Sequence, residues 1–163
     1  MTPIFDFIFD RVATLVTAIT LTLALVVMGA QVVFRYALND SLYWAEEVAR
    51  YALVWSSMIG AAVAYRHGSH VAVTDVVKRF PVSVQRQVVR VVHALVFAFG
   101  VFILWQGWML TMRNFARHHL STSLEIEIAW IYLSIPIGGA LLMLAAIEAF
   151  ARVAPVTSGA TSA

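Results

Sequence analysis

Glu46, Glu47 and Arg50 have the clearest chemical spacing in this chain. Glu46 stands four residues before Arg50 and Glu47 three, the separations at which side chains on a helix meet. Either carboxylate can therefore reach the guanidinium. On an exposed helix such a pair is worth only about 0.2–0.5 kcal/mol. At the edge of a hydrocarbon layer the ions are partly desolvated and the contact matters more. Arg35 and Tyr36 lie upstream, and Asn39, Asp40 and Ser41 between them and the glutamates supply a turn and an N-cap. Tyr36, Tyr43 and Trp44 are residues that suit a membrane–water boundary. From the residues alone, segment 33–51 reads equally as a charged helix start in an aromatic belt and as a surface for docking a partner.

Other constellations are weaker. His67 with His70, and His118 with His119, could bind a metal, but no cysteine or carboxylate stands near them at ligand spacing, so loop histidines are expected. His93 is the one histidine inside an apolar run. As a haem ligand it would need a second axial histidine at similar depth, and the chain offers none. A packed or interfacial histidine is expected instead. No Ser-His-Asp set, Gly-rich phosphate loop or HExxH motif is present. The absence of cysteine excludes disulfides, thiolate metal sites and thiol nucleophiles. No catalytic, substrate-binding or metal site is therefore expected, no cofactor and no enzymatic activity.

The elements that must position these residues follow from where charge is missing. The 163 residues are 61% hydrophobic and 12% charged, against about half and a quarter in a soluble domain. Uncharged runs of 23, 15, 22 and 20 residues separate Arg11 from Arg35, Arg50 from Arg66, Arg90 from Arg113, and Glu127 from Glu148. Crossing the hydrocarbon core takes roughly 20 apolar residues, and Leu42–Ala49 lengthens the short second run. The sequence predicts an all-α integral membrane protein with four transmembrane helices, near 12–34, 42–65, 88–112 and 128–149, within one domain over 1–152. Residues 153–163 read as a disordered tail. Asp6 and Asp10 before the first run, and that run's length, argue for a retained span rather than a cleaved signal peptide. Short amphipathic interfacial helices are expected around Ile4–Arg11 and over 71–80, where Val73, Val76 and Val77 alternate with Asp75, Lys78 and Arg79. Pro81 and Ser83 then read as a stop and a new N-cap.

Small residues should bring the spans together: Ser56, Gly60 and Ala64 in the second, Ala94, Ala98, Gly100 and Gly107 in the third, Ser134, Gly138 and Gly139 in the fourth. They favour a compact bundle, with a kink at Pro136. Whether the two halves form an inverted pair is left open by the sequence.

Seven of the eleven Lys/Arg residues (Arg11, Arg66, Lys78, Arg79, Arg86, Arg90 and Arg152) fall on one side of these spans, and four (Arg35, Arg50, Arg113 and Arg117) on the other. The richer side, which carries both termini, is expected to be cytoplasmic. A formal charge of +2 on such a chain makes no phosphate-binding surface, so nucleic acid is not an expected partner; the lipid bilayer is. The interiors of the first, third and fourth spans hold no Asp, Glu, Lys or Arg. A coupling site in a transporter needs such a group, which points to a scaffold or accessory subunit.

Phe34-Arg35-Tyr36 followed by Asn39, then Trp44-Ala45-Glu46-Glu47 and Arg50-Tyr51, resembles the small membrane subunit, of DctQ type, of tripartite ATP-independent periplasmic (TRAP) transporters. The resemblance runs on through Gly60-Ala61-Ala62, Ala64-Tyr65-Arg66, Gly68, His70-Val71 and Asp75. It resumes at Ser123-Leu124, Trp130, Tyr132 and Ile135-Pro136-Ile137-Gly138, covering roughly residues 10–150. The sequence departs from that pattern in lacking a proline near Ser41 and near Glu127. The resemblance implies a four-helix subunit that packs against a large DctM-type membrane subunit and widens its static scaffold. That large subunit would carry the substrate and sodium sites, and a periplasmic solute-binding protein would deliver the cargo, usually an organic acid, without ATP. It further implies a bacterial inner-membrane location. Arg35, Tyr36, Asn39, Trp44, Glu46, Glu47, Arg50 and Tyr51 would then be structural or subunit-interface residues. The competing reading is a haem-carrying membrane anchor of a respiratory enzyme.

Overall fold

The structure is a computed structural model that describes residues 7–68 and 82–153. The expected surface helix over 71–80, Pro81 and the tail after Val153 lie outside the described residues. Phe7–Ala13 is wound widely, as a π-helix, and leads into α1, Thr14–Ala37. Then follow α2, Tyr43–Gly68, α3, Val82–Arg117, the single turn α4, Ala129–Tyr132, and α5, Ser134–Val153. Four stretches are long and apolar enough to cross a membrane: Phe9–Ala37, Tyr43–Gly68, Gln87–Arg117 and Ala129–Ala151. Helices satisfy every backbone group within one segment, which lipid requires. Several hydroxyls inside the spans are satisfied the same way. Thr17 donates to the Ala13 carbonyl, Thr20 to Val16, Thr111 to Gly107 and Ser134 to Ile131, at 2.7–2.9 Å.

The four spans pack in an open row, α1–α2–α5–α3. The interfaces lie between α1 and α2, α2 and α5, and α5 and α3, and no comparable interface joins the flanking α1 and α3 among the described residues. The small residues do bring the helices together, but in one layer rather than a closed bundle. Each hairpin, α1–α2 and α3–α5, leaves from the same end and returns to it. The two hairpins therefore run in the same sense and not as an inverted pair, and the parallel α2 and α5 form the central seam.

Each seam uses missing side-chain volume. Ala24 of α1 packs with Ala49 and Ala52 of α2. A β-carbon on Gly138 would stand 2.9 Å from Met58 Cβ across the central seam. One on Gly139 would stand 2.8 Å from the Leu104 nitrogen, and one on Gly107 2.9 Å from the Pro136 nitrogen, both between α3 and α5. Such distances leave room only for hydrogen, so glycine sets how closely these backbones approach.

Two local features go beyond the sequence expectation. Residues 7–13 form a π-helix that runs directly into α1. Their wide turn, in which the Thr14 hydroxyl reaches back to the Phe9 carbonyl at 2.9 Å, drives Phe9 into a fully buried site beside Ala62 and Ala145. The interruption expected at Pro136 falls at Leu133, between α4 and α5. Proline has no N–H for the carbonyl four residues back and its ring clashes there, so the break precedes Pro136 and leaves it in the first turn of α5.

Candidate functional site

Polar chemistry concentrates at the two ends of the row. At the end holding the start of α1 and the finish of α2 and α5, Arg66 is the hub. Its side chain is only 6% exposed. Nε donates to Glu148 Oε2 at 2.8 Å and Nη2 to Glu148 Oε1 at 3.1 Å, a two-point fork across the central seam. Nη1 donates to Asp10 Oδ1 at 2.6 Å, and the guanidinium lies 5.2 Å from the centre of the Phe9 ring. One cation thus ties the α1 approach, α2 and α5. The more exposed His67 places Nε2 3.4 Å from the same Asp10 oxygen and Nδ1 2.9 Å from the Val63 carbonyl.

Beside this hub the Tyr65 hydroxyl and His93 Nδ1 are 2.5 Å apart, linking α2 to α3. His93 is 4% exposed, with its ring edge-on to Phe150 of α5 at 5.7 Å. It is the packed histidine expected from the sequence, enclosed by protein on the helix seam.

At the other end, the eight residues singled out in the sequence do not form one cluster. Arg35 lies over the ring of its neighbour Tyr36, 5.9 Å from the centroid. Asn39 takes the left-handed backbone conformation, φ 52°, that turns the chain from α1 to α2. Tyr36 and Tyr43 are largely exposed and Trp44 about half so, as an interfacial belt requires. Arg50 pairs with Glu46, and among the described residues with no other acid, at 2.9 Å, with both side chains about two-thirds exposed.

Glu47 points elsewhere. It accepts from the Tyr51 hydroxyl at 2.5 Å and from the Ser123 backbone N–H at 3.0 Å. It therefore fastens α2 to the loop between α3 and α4, not to α1. That loop is held by a short bridge between Leu120 and Glu127, by Ser121 N–H to the Ile126 carbonyl at 2.8 Å, and by His118 Nδ1 to Glu127 at 2.9 Å. Two of its residues, His118 and Glu125, also have positive φ.

The Asp10–Arg66–Glu148 hub was missed in reading the sequence. Its signal was available: three ions of opposite sign flank three different apolar runs on one side of the membrane, where helix ends must converge.

In this arrangement the buried cation joins helices, and several span hydroxyls bond their own helix backbone. A family model described as tripartite ATP-independent periplasmic transporters, DctQ component, matches residues 23–155. The chain belongs to that family. This DctQ-family subunit is 26% identical over 155 residues to the sialic acid TRAP transporter small permease protein SiaQ of Vibrio cholerae, covering 95% of this chain and 88% of that one. It is 25% identical over 133 residues to the ectoine TRAP transporter small permease protein TeaB of Halomonas elongata, covering 79% and 69%. It also matches the sialic acid TRAP transporter permease protein SiaT of Haemophilus influenzae, 28% identical over 131 residues, 78% of this chain but 21% of SiaT. The DctQ-family subunit is thus a multi-pass small permease subunit of a TRAP transporter, of a kind that works with a large permease subunit.

Proposed function

We propose that this subunit is the static, non-catalytic scaffold of a large DctM-type permease in a bacterial inner membrane. Its termini face the cytoplasm. The complex takes up an organic acid, delivered by a periplasmic solute-binding protein, on a sodium gradient. The observation that carries the scaffold reading is the fate of the charges. Arg66, Asp10 and Glu148 satisfy one another, Glu47 holds a loop, and Glu46 and Arg50 pair at the surface. The SiaT match supports the partner, because there a stretch like this chain forms about a fifth of a longer permease. The relatives' names span sialic acid, ectoine and C4-dicarboxylates, so the solute is set by other chains.

Proteoliposomes test this reading. The subunit alone should give no gradient-driven uptake. Uptake should appear when the large subunit, the binding protein and an inward sodium gradient are all present. Uptake by this chain alone, or a large subunit that neither co-purifies with it nor needs it, would overturn the proposal.

A further inference from the structure

The outer face of α3 carries a feature that lipid does not explain. Trp105, Trp108, Met109, Met112, Arg113 and Ala116 line a groove of about 410 Å3 on that face. Trp105 is 69% exposed and Trp108 55%. Gln106 is exposed beside them, and its carboxamide has no hydrogen-bond partner among the described residues. It stands seven residues before Arg113, about 10 Å deeper at 1.5 Å per residue. Its neighbour Gly107 meets Ile135 and Pro136, well inside the span that begins at Ala129.

A primary amide facing hydrocarbon at that depth leaves two donors and an acceptor unsatisfied. Trp105 is likewise deeper than the headgroup level where tryptophan belts sit. The other flanking helix, α1, presents at such depth one small exposed hydroxyl, Thr22, but no carboxamide or indole. Its outward large residues are mainly Leu, Val and Ile, which lipid solvates well, and its Gln31 is one turn from Arg35 and close to the headgroups.

We infer that the α3 face built from Phe102, Trp105, Gln106, Met109 and Met112 is the surface on which the large membrane subunit docks. The occupant is a transmembrane helix presenting a polar or backbone group to Gln106 at mid-depth. Gln, Asn, Ser and Thr bond across helices in this way. The inference rests on the scaffold reading above and adds to it which edge of the row is joined.

A photo-crosslinking residue placed at Trp105 or Met109 of α3, or at Leu25 or Val32 of α1, in the purified two-subunit complex tests it. The α3 positions should give the adduct with the large subunit, and the α1 positions lipid adducts. Gln106→Leu, which keeps the helix and its volume, should reduce the large subunit retained in detergent by roughly 3- to 20-fold, with Gln106→Asn recovering part of it. Adducts with the large subunit from α1 alone would overturn the inference. So would adducts between two copies of this chain from α3, or only lipid adducts there. Each of those results leaves the scaffold reading standing, because the complex has already been isolated.

Discussion

At the residue scale, the decisive side chain is Arg66. Removing one member of a buried ion group leaves its partners desolvated and unpaired, which typically costs about 3–5 kcal/mol. Arg66→Met should therefore lower the melting temperature of the detergent-solubilised subunit markedly. Arg66→Lys should fall between, since an ammonium cannot reproduce the two-point fork on Glu148. The double variant Arg66→Met with Glu148→Met should be more stable than Arg66→Met alone, because it also removes the carboxylate that loses the two-point fork. A double variant no better than the single one would show that Glu148 is satisfied without Arg66. The sequence made Glu46, Glu47, Arg50 and Tyr51 legible as neighbours, because helical spacing is local. It did not show that Glu47 turns to Tyr51 and Ser123 while Arg50 takes Glu46. That choice depends on a loop 76 residues away in the chain.

At the element scale, the spans were readable because charge-free length is nearly all a lipid-crossing helix needs. Helix ends were harder. The wide turn that buries Phe9 depends on the small residues Ala62 and Ala145 opposite it, and no local pattern announces it. The seams offer a direct test of the close-packing argument. Gly139→Leu should disrupt the α3–α5 pair, where even a β-carbon would meet the Leu104 nitrogen at 2.8 Å. Gly29→Leu on the outer face of α1, with no other group within 4 Å, should leave folding intact. Size-exclusion profiles and thermal melts of the two variants read the difference. Equal behaviour would remove glycine from the account of how these helices approach.

At the scale of the whole molecule, small residues said that the helices would pack but not in what order. The row α1–α2–α5–α3 depends on which faces meet, a long-range property. Its orientation is a proposal that topology reporters can check. Fusions at Ser69 should report a cytoplasmic location and fusions at Asn114 a periplasmic one. The reverse pair of signals would invert the assignment. The single-layer order also has a bearing on the membrane itself. In a closed bundle much of each helix is screened from lipid, whereas in a row every helix keeps lipid on both broad sides. At its edge stands α3, whose uncharged run of 22 residues extends about 33 Å at 1.5 Å each, against a hydrocarbon core of about 30 Å. A long helix answers a thinner bilayer by tilting, and a tilt at the edge of a row is handed from one seam to the next. The acyl-chain length of the surrounding lipids thus becomes a quantity that this subunit can feel along its whole width.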